Sequence, residues 1–147
     1  MYILDTNIVL HATRQNSPVS AALDAQFQLS RLSFRPAVCE VSIGELWAFA
    51  RPWSEQRRDL LRRIIDELLV IPIGREAIYL RWAELYSHAR AHGLPIQNDH
   101  NDVWIAATAY VTGLRLLSAD RKAFLPLRGT SWVEVTVVDP KTGIIIP

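Results

Sequence analysis

Two acidic side chains stand directly after short apolar runs. Asp5 follows Tyr2-Ile3-Leu4, and Asp120 follows the run at 114–117 with only Ser118 and Ala119 between. Glu45 lies among Leu46, Trp47, Phe49 and Ala50, where a half-buried carboxylate needs a partner. Asp102 directly precedes Val103-Trp104-Ile105-Ala106-Ala107. Apart from Arg121 and Lys122, few basic residues flank these four positions. Four carboxylates in one cleft repel each other, raise their pKa values and destabilise the fold unless a cation sits among them. Oxygen-only ligands select hard cations such as Mg²⁺ or Mn²⁺ over zinc. Such ions act on phosphate esters, orienting and deprotonating a water and stabilising charge on the attacking and leaving oxygens. That chemistry needs acids and no covalent nucleophile. Each acid also has a plainer reading. Asp5 and Asp102 stand where helix N-caps belong, and Asp120 fits a turn in Ser118-Ala119-Asp120-Arg121.

The elements around these residues decide whether they can meet. Residues 2–4, apolar without alternation, predict a strand buried on both faces. A helix follows from about Ile8 to Ala12, and a second is predicted over 19–32, entered through Ser17-Pro18. A short strand is expected over 34–38, weakened by Pro36. A helix from Ser42 carries Glu45 and ends near Arg51-Pro52. Over 55–69 the residues Leu60, Leu61, Ile64, Ile65, Leu68 and Leu69 recur at helical spacing, with Arg57, Arg58, Arg62 and Arg63 between them. A strand at 70–73, a helix over 75–92 stopped by Gly93, and a helix from about Asn101 to Val111 ended by Gly113 come next. A strand at 114–117 and an alternating, edge-type strand over 132–138 complete the pattern. Short apolar strands alternating with helices predict an α/β domain with a mostly parallel sheet. In such sheets ligands bind beyond the carboxyl ends of the strands, at a topological switch point. Asp5 and Asp120 at two strand ends are therefore placed to share one cleft, with Glu45 and Asp102 able to join them.

Composition narrows the setting. The chain has 147 residues, half of them apolar and 21% charged, with 16 basic and 15 acidic side chains for a formal charge of +1. No global field exists to attract a polyanion, so any nucleic-acid contact needs a local basic patch. One cysteine, Cys39, excludes an internal disulfide framework, and it is expected to be buried. No apolar run approaches the roughly 20 residues that span a bilayer. Asp5 is incompatible with a signal peptide, and a soluble cytoplasmic domain is the expectation.

In order along the chain, four segments resemble the motifs of PIN-domain ribonucleases, and specifically of the VapC toxins of bacterial toxin–antitoxin pairs. They are Met1-Tyr2-Ile3-Leu4-Asp5-Thr6-Asn7, Val41-Ser42-Ile43-Gly44-Glu45-Leu46, Asn101-Asp102 through Ala109, and Leu116-Leu117-Ser118-Ala119-Asp120 through Phe124. The resemblance implies a single PIN-like domain over 1–147, a three-layer α/β/α fold, and Asp5, Glu45, Asp102 and Asp120 as the acidic set. Thr6 and Asn7 would support Asp5, and Ser118, where the family more often has Thr, would support the site by hydrogen bonding. Asp99, a turn before Asp102, is a further ligand, the ligand itself, or only a cap. Also implied are a homodimer, an RNA substrate such as tRNA or ribosomal RNA, and a small VapB-like antitoxin whose C-terminal segment blocks the site.

Arg121 and Lys122, beside Asp120, are placed to touch a phosphate near the metal. The arginines at 57, 58, 62 and 63, with Arg51, either track an RNA backbone or form the solvated face of an amphipathic helix. Trp47 and Trp53 suit a groove or a stacked base, whereas Phe49, Trp82 and Trp104 read as core. His100 is placed to face the cleft. His11, His88, His92 and His100 form no zinc spacing. A haloacid-dehalogenase-type phosphatase would need a second aspartate where Asn7 stands. A receiver domain would need paired acids near the first strand, and no Gly-rich phosphate loop is present. A constitutive RNA-processing PIN nuclease and a non-catalytic PIN module remain as alternatives.

Overall fold

The structure is a computed structural model that describes residues 1–14, 16–30 and 35–147. Among these, five parallel strands form one sheet in the order β3-β2-β1-β4-β5. They are β1 (Tyr2–Leu4), β2 (Ala37–Cys39), β3 (Leu69–Ile71), β4 (Arg115–Ser118) and β5 (Val135–Val137). Seven α-helices surround it: α1 (Thr6–Ala12), α2 (Pro18–Phe27), α3 (Glu40–Ala50), α4 (Glu55–Glu67), α5 (Glu76–His92), α6 (His100–Thr112) and α7 (Arg121–Phe124).

The central strand is buried on both faces, as its unbroken apolar run requires. Ile3 packs with residues of α5 and α6, while Leu4 packs with residues of α1, α2, α3 and α4. The two apolar clusters are the layers above and below the sheet, and the three-layer α/β/α architecture follows. In register, Leu4 stands opposite Val38 on one side and Leu117 on the other. The chain grows outward from β1 through β2 to β3, then returns to lay β4 against the far side of β1. That reversal is the switch point, and it opens at the carboxyl ends of β1 and β4.

Local chemistry sets the element ends. Asp5, Ser17 and Ser54 cap α1, α2 and α4 through their side-chain oxygens. Gly93 and Gly113 take left-handed backbone angles (φ +64° and +67°) that end α5 and α6. Gln28 ends α2 in the same way at φ +51°, short of the helix expected over 19–32, whose last two residues lie outside the described ones. Phe34, expected to open the second strand, lies outside them too, and β2 starts at Ala37. The fourth strand runs one residue later than expected, which places Ser118 inside the sheet. The edge strand shortens to three residues, and the brief helix α7 was not anticipated.

Three expectations about aromatic and histidine residues are corrected. Phe49 is 56% exposed rather than core. Trp82 and Trp104 are half-buried and stack on each other with centroids 5.1 Å apart, in a surface aromatic cluster with Tyr79 and Tyr86. His100 belongs to that cluster, edge-on to Trp82 and Tyr86, and not to the acid cleft. Cys39 is buried as expected, its Sγ 3.4 Å from the Thr108 hydroxyl. Among the described residues no helix is long and apolar enough to cross a membrane.

Candidate active site

Asp5 stands at the carboxyl end of the central strand and is only 3% exposed. Its main-chain N–H continues the ladder to Leu117 O at 3.0 Å, so the sheet itself sets the residue's position. Three donors hold its carboxylate. Thr6 N–H donates to Oδ1 at 2.7 Å, and Asn7 Nδ2 and the Ser118 hydroxyl donate to Oδ2 at 2.7 and 2.5 Å. Even so, burial pushes its pKa up to about 6; the Ser118, Thr6 and Asn7 hydrogen bonds pull it down, and the Glu45 charge adds to the rise.

Around Asp5 the supporting residues form one connected set. Asn7 Oδ1 accepts from Ala119 N–H at 2.9 Å, tying α1 to the end of β4. Ser118 Oγ accepts from Asp120 N–H at 2.9 Å while donating to Asp5. Asp120 caps α7, accepting from Ala123 N–H at 2.9 Å. Glu45 reaches in from α3, and the Thr6 hydroxyl donates to its Oε2. Asn101 Nδ2 donates to the other oxygen, Oε1, at 2.6 Å. Thr6, Asn7 and Ser118 thus contact the acids. Asn101 was missed, although its place beside Asp102 was a usable signal.

At the head of α6 the two acids take different positions. Asp99, not Asp102, is the N-cap, accepting from Asn101 N–H at 2.9 Å. Asp102 sits in the first helical turn, where its carboxyl is pushed up to about 8. Burial is the largest cause, followed by the negative charges of Asp5, Asp99, Asp120 and Glu45. The fold therefore brings five acids from four segments into one electrostatic neighbourhood, with Asp102 at its focus. Arg121 and Lys122 flank it, both exposed, and Arg121 lies 4.0 Å from Asp139.

The donor set contains only oxygen, and its main internal forces are repulsive. That chemistry fits a hard divalent cation. As placed, no three His, Cys, Asp or Glu side chains among the described residues make a ready-made metal cage. The acids act on each other through charge, while hydrogen bonds to neighbouring donors hold Asp5, Glu45, Asp99 and Asp120.

A family model, that of the PIN domain, matches residues 2–126, and the chain belongs to that family. Solved structures share the fold. FitAcB from Neisseria gonorrhoeae superposes with a TM-score of 0.70 at 22% identity, covering 92% of this chain and 96% of the other. VapBC2 from Rickettsia felis, bound to a DNA fragment from its promoter, gives 0.74 at 21%, covering 94% and 98%. VapBC-5 from Mycobacterium tuberculosis, of a toxin–antitoxin family, gives 0.66 at 23%, covering 93% and 98%. No curated protein sequence matches the chain.

Proposed function

We propose that this chain is an endoribonuclease dependent on Mg²⁺ or Mn²⁺, and the toxin of a VapBC-type pair. The observation that carries the reading is the connected set of hydrogen bonds that gathers Asp5, Glu45 and Asp120 through Thr6, Ser118 and Asn101 beside the partly buried Asp102. Carboxylates gathered in this way repel each other unless a cation joins them. Asp5, Glu45, Asp102 and Asp120 would hold the ion, with Asp99 as a further oxygen donor. When bound, the ion would activate a water and stabilise charge on the oxygens of a scissile phosphodiester.

The protein's own residues prepare the cleft for that charge. Three donors allow Asp5 one orientation, and Thr6 with Asn101 fixes Glu45, so both carboxylates are set before substrate arrives. Arg121 and Lys122 would meet a phosphate at the rim of the cleft.

RNA as substrate, from tRNA or ribosomal RNA, and a homodimeric, cytoplasmic toxin rest on the motifs shared with VapC proteins. A VapB-like antitoxin is supported by the likeness to VapBC structures and by an apolar cavity of about 710 Å³. Leu4, Ile8, Val9, Leu23, Ile64 and Leu68 line it among the described residues, giving an apolar segment a seat.

The test is cleavage of a total tRNA and ribosomal RNA pool by the purified protein. It is run with Mg²⁺ or Mn²⁺, with EDTA, and with the Asp5→Asn variant. Discrete products that need metal and vanish in Asp5→Asn are expected. Cleavage that survives either treatment refutes the acid–metal reading.

A further inference from the structure

The arginines of α4, alike in sequence, do different things in the fold. Arg62 pairs with Asp59 in solvent at 2.9 Å. Arg58 donates to the carbonyls of Arg51 and Trp53, at 3.3 and 2.7 Å. Arg57 and Arg63 instead line a pocket of about 390 Å³ between the end of α1 and the start of α4, with Thr13, Arg14, Ser54 and Leu60. Three arginines line this pocket, and among the described residues no carboxylate does. Among the described residues, neither Arg14 nor Arg63 makes an ion pair.

Arg57 is held in position rather than left free. Its guanidinium lies 3.6 Å over the Trp53 ring, and Nη2 donates to Thr13 Oγ1 at 3.3 Å. Thr13 is itself buried, at 2% exposure. Among the described residues, the Arg57 Nε–H is shut away from solvent without an acceptor. An orphaned charged donor is unfavourable, and three like charges around one pocket repel. An anion in the pocket relieves that repulsion. The first turn of α4, a helix of 13 residues, adds the positive end of its dipole.

We infer that this pocket receives a phosphate of the same RNA strand whose scissile bond lies in the acid cleft, as a second, non-catalytic phosphate subsite. The inference rests on the ribonuclease reading. One helix links the two places: Asp5 caps the start of α1 and Thr13 caps its end. At about 1.5 Å per residue they are roughly 12 Å apart along it, a span one strand leaving the cleft can follow. Arginine suits the task, because its planar fork matches phosphate oxygens two at a time. Such a contact holds the backbone and sets register without reading sequence.

The test measures binding of a labelled single-stranded RNA of mixed sequence, about 12 nucleotides long, by fluorescence anisotropy. EDTA is present throughout, so that binding is read apart from cleavage. Arg14→Gln with Arg63→Gln is expected to weaken binding about tenfold near 0.1 M salt. The slope of log affinity against log salt should shrink by about 0.7 for each phosphate no longer neutralised. Both side chains are exposed, so the fold should persist. Arg57→Lys, which keeps the charge and loses the fork, should show a smaller effect. Arg90→Gln with Arg115→Gln removes the same charge from residues that line no part of the pocket. Equal affinity and slope in the two double variants, with the unaltered protein binding and cleaving RNA, overturns the subsite and leaves the ribonuclease reading standing. Protein that neither binds nor cleaves RNA overturns both. A pocket that binds a polyglutamate peptide but does not alter RNA affinity overturns the RNA assignment in favour of an acidic protein segment.

Discussion

Asn101 donates its side-chain amide to Glu45 Oε1 at 2.6 Å, joining the head of α6 to the middle of α3 across 56 positions of sequence. The Thr6 hydroxyl holds the other oxygen of the same carboxylate. Glu45 is thereby aimed from both sides, and neither support is itself ionisable.

Asn101→Ala should therefore release Glu45 without adding or removing charge. Residues that orient a ligand typically affect metal affinity or activity by about 10–100-fold. We expect a loss of that size in cleavage and in Mn²⁺ affinity measured by calorimetry, with the unfolding midpoint little changed. Unaltered Mn²⁺ affinity and activity would show that the clamp is structural only.

Ser118→Ala removes the donor to Asp5 Oδ2 and the acceptor for Asp120 N–H together. Leaving buried polar groups unsatisfied costs about 1–3 kcal/mol. Urea denaturation at neutral pH should record a loss of that size. Ser118→Thr, which keeps the hydroxyl, should recover most of it if the added methyl is accommodated. Equal stability of Ser118→Ala and the unaltered protein would contradict the hydrogen-bonding role.

The metal-free protein should lose stability as pH rises. Asp5 and Asp102 have folded values of about 6 and about 8, against an ordinary 3.8. Raised carboxyl values mean that the folded state holds protons that the unfolded chain releases first. Stability then falls from the unfolded value upward and levels off above the folded one. The urea midpoint in EDTA should drop between about pH 4 and pH 8, and Asp102→Asn should flatten most of that fall. Added Mn²⁺ should restore stability most strongly at the alkaline end. A midpoint that climbs with pH across this window would refute the buried-carboxylate account.

Cys39 should be inert in the folded protein. Burial raises its thiol pKa, only partly offset by the Thr108 hydrogen bond, and thiolate is the reactive form. Ellman's reagent should react at the rate of unfolding, and fast labelling in native buffer would place the thiol elsewhere.

Much of the candidate site was legible before the fold was known. Asp5 and Asp120 stood out because each ends a short apolar strand, and strand ends in parallel sheets are where ligands bind. Thr6, Asn7 and Ser118 were legible through the family's motifs. Asp99 and Asp102 lie one turn apart and both are good capping residues, so the sequence left each open as cap or ligand. Only the backbone geometry at Asp99, extended at φ −131°, separates them. Phe49 read as core because α3 is apolar on nearly every face. Its exposure was decided by which face the neighbouring helices cover, with Leu46 and Ala50 taking the buried positions.

Taken alone, the sequence determined where the elements lie and which acids end them, because helix periodicity, caps and strand runs depend on neighbours within a few residues. Tertiary structure decided that Glu45 and Asn101 meet, that Asp102 feels the charge of Asp5, Asp99, Asp120 and Glu45, and that Arg14 joins Arg57 and Arg63 around one pocket. Those relations depend on the reversal that sets β4 beside β1 and on how the end of α1 meets the start of α4. Such contacts join residues far apart along the chain, and burial of the two apolar layers selects them rather than any local pattern.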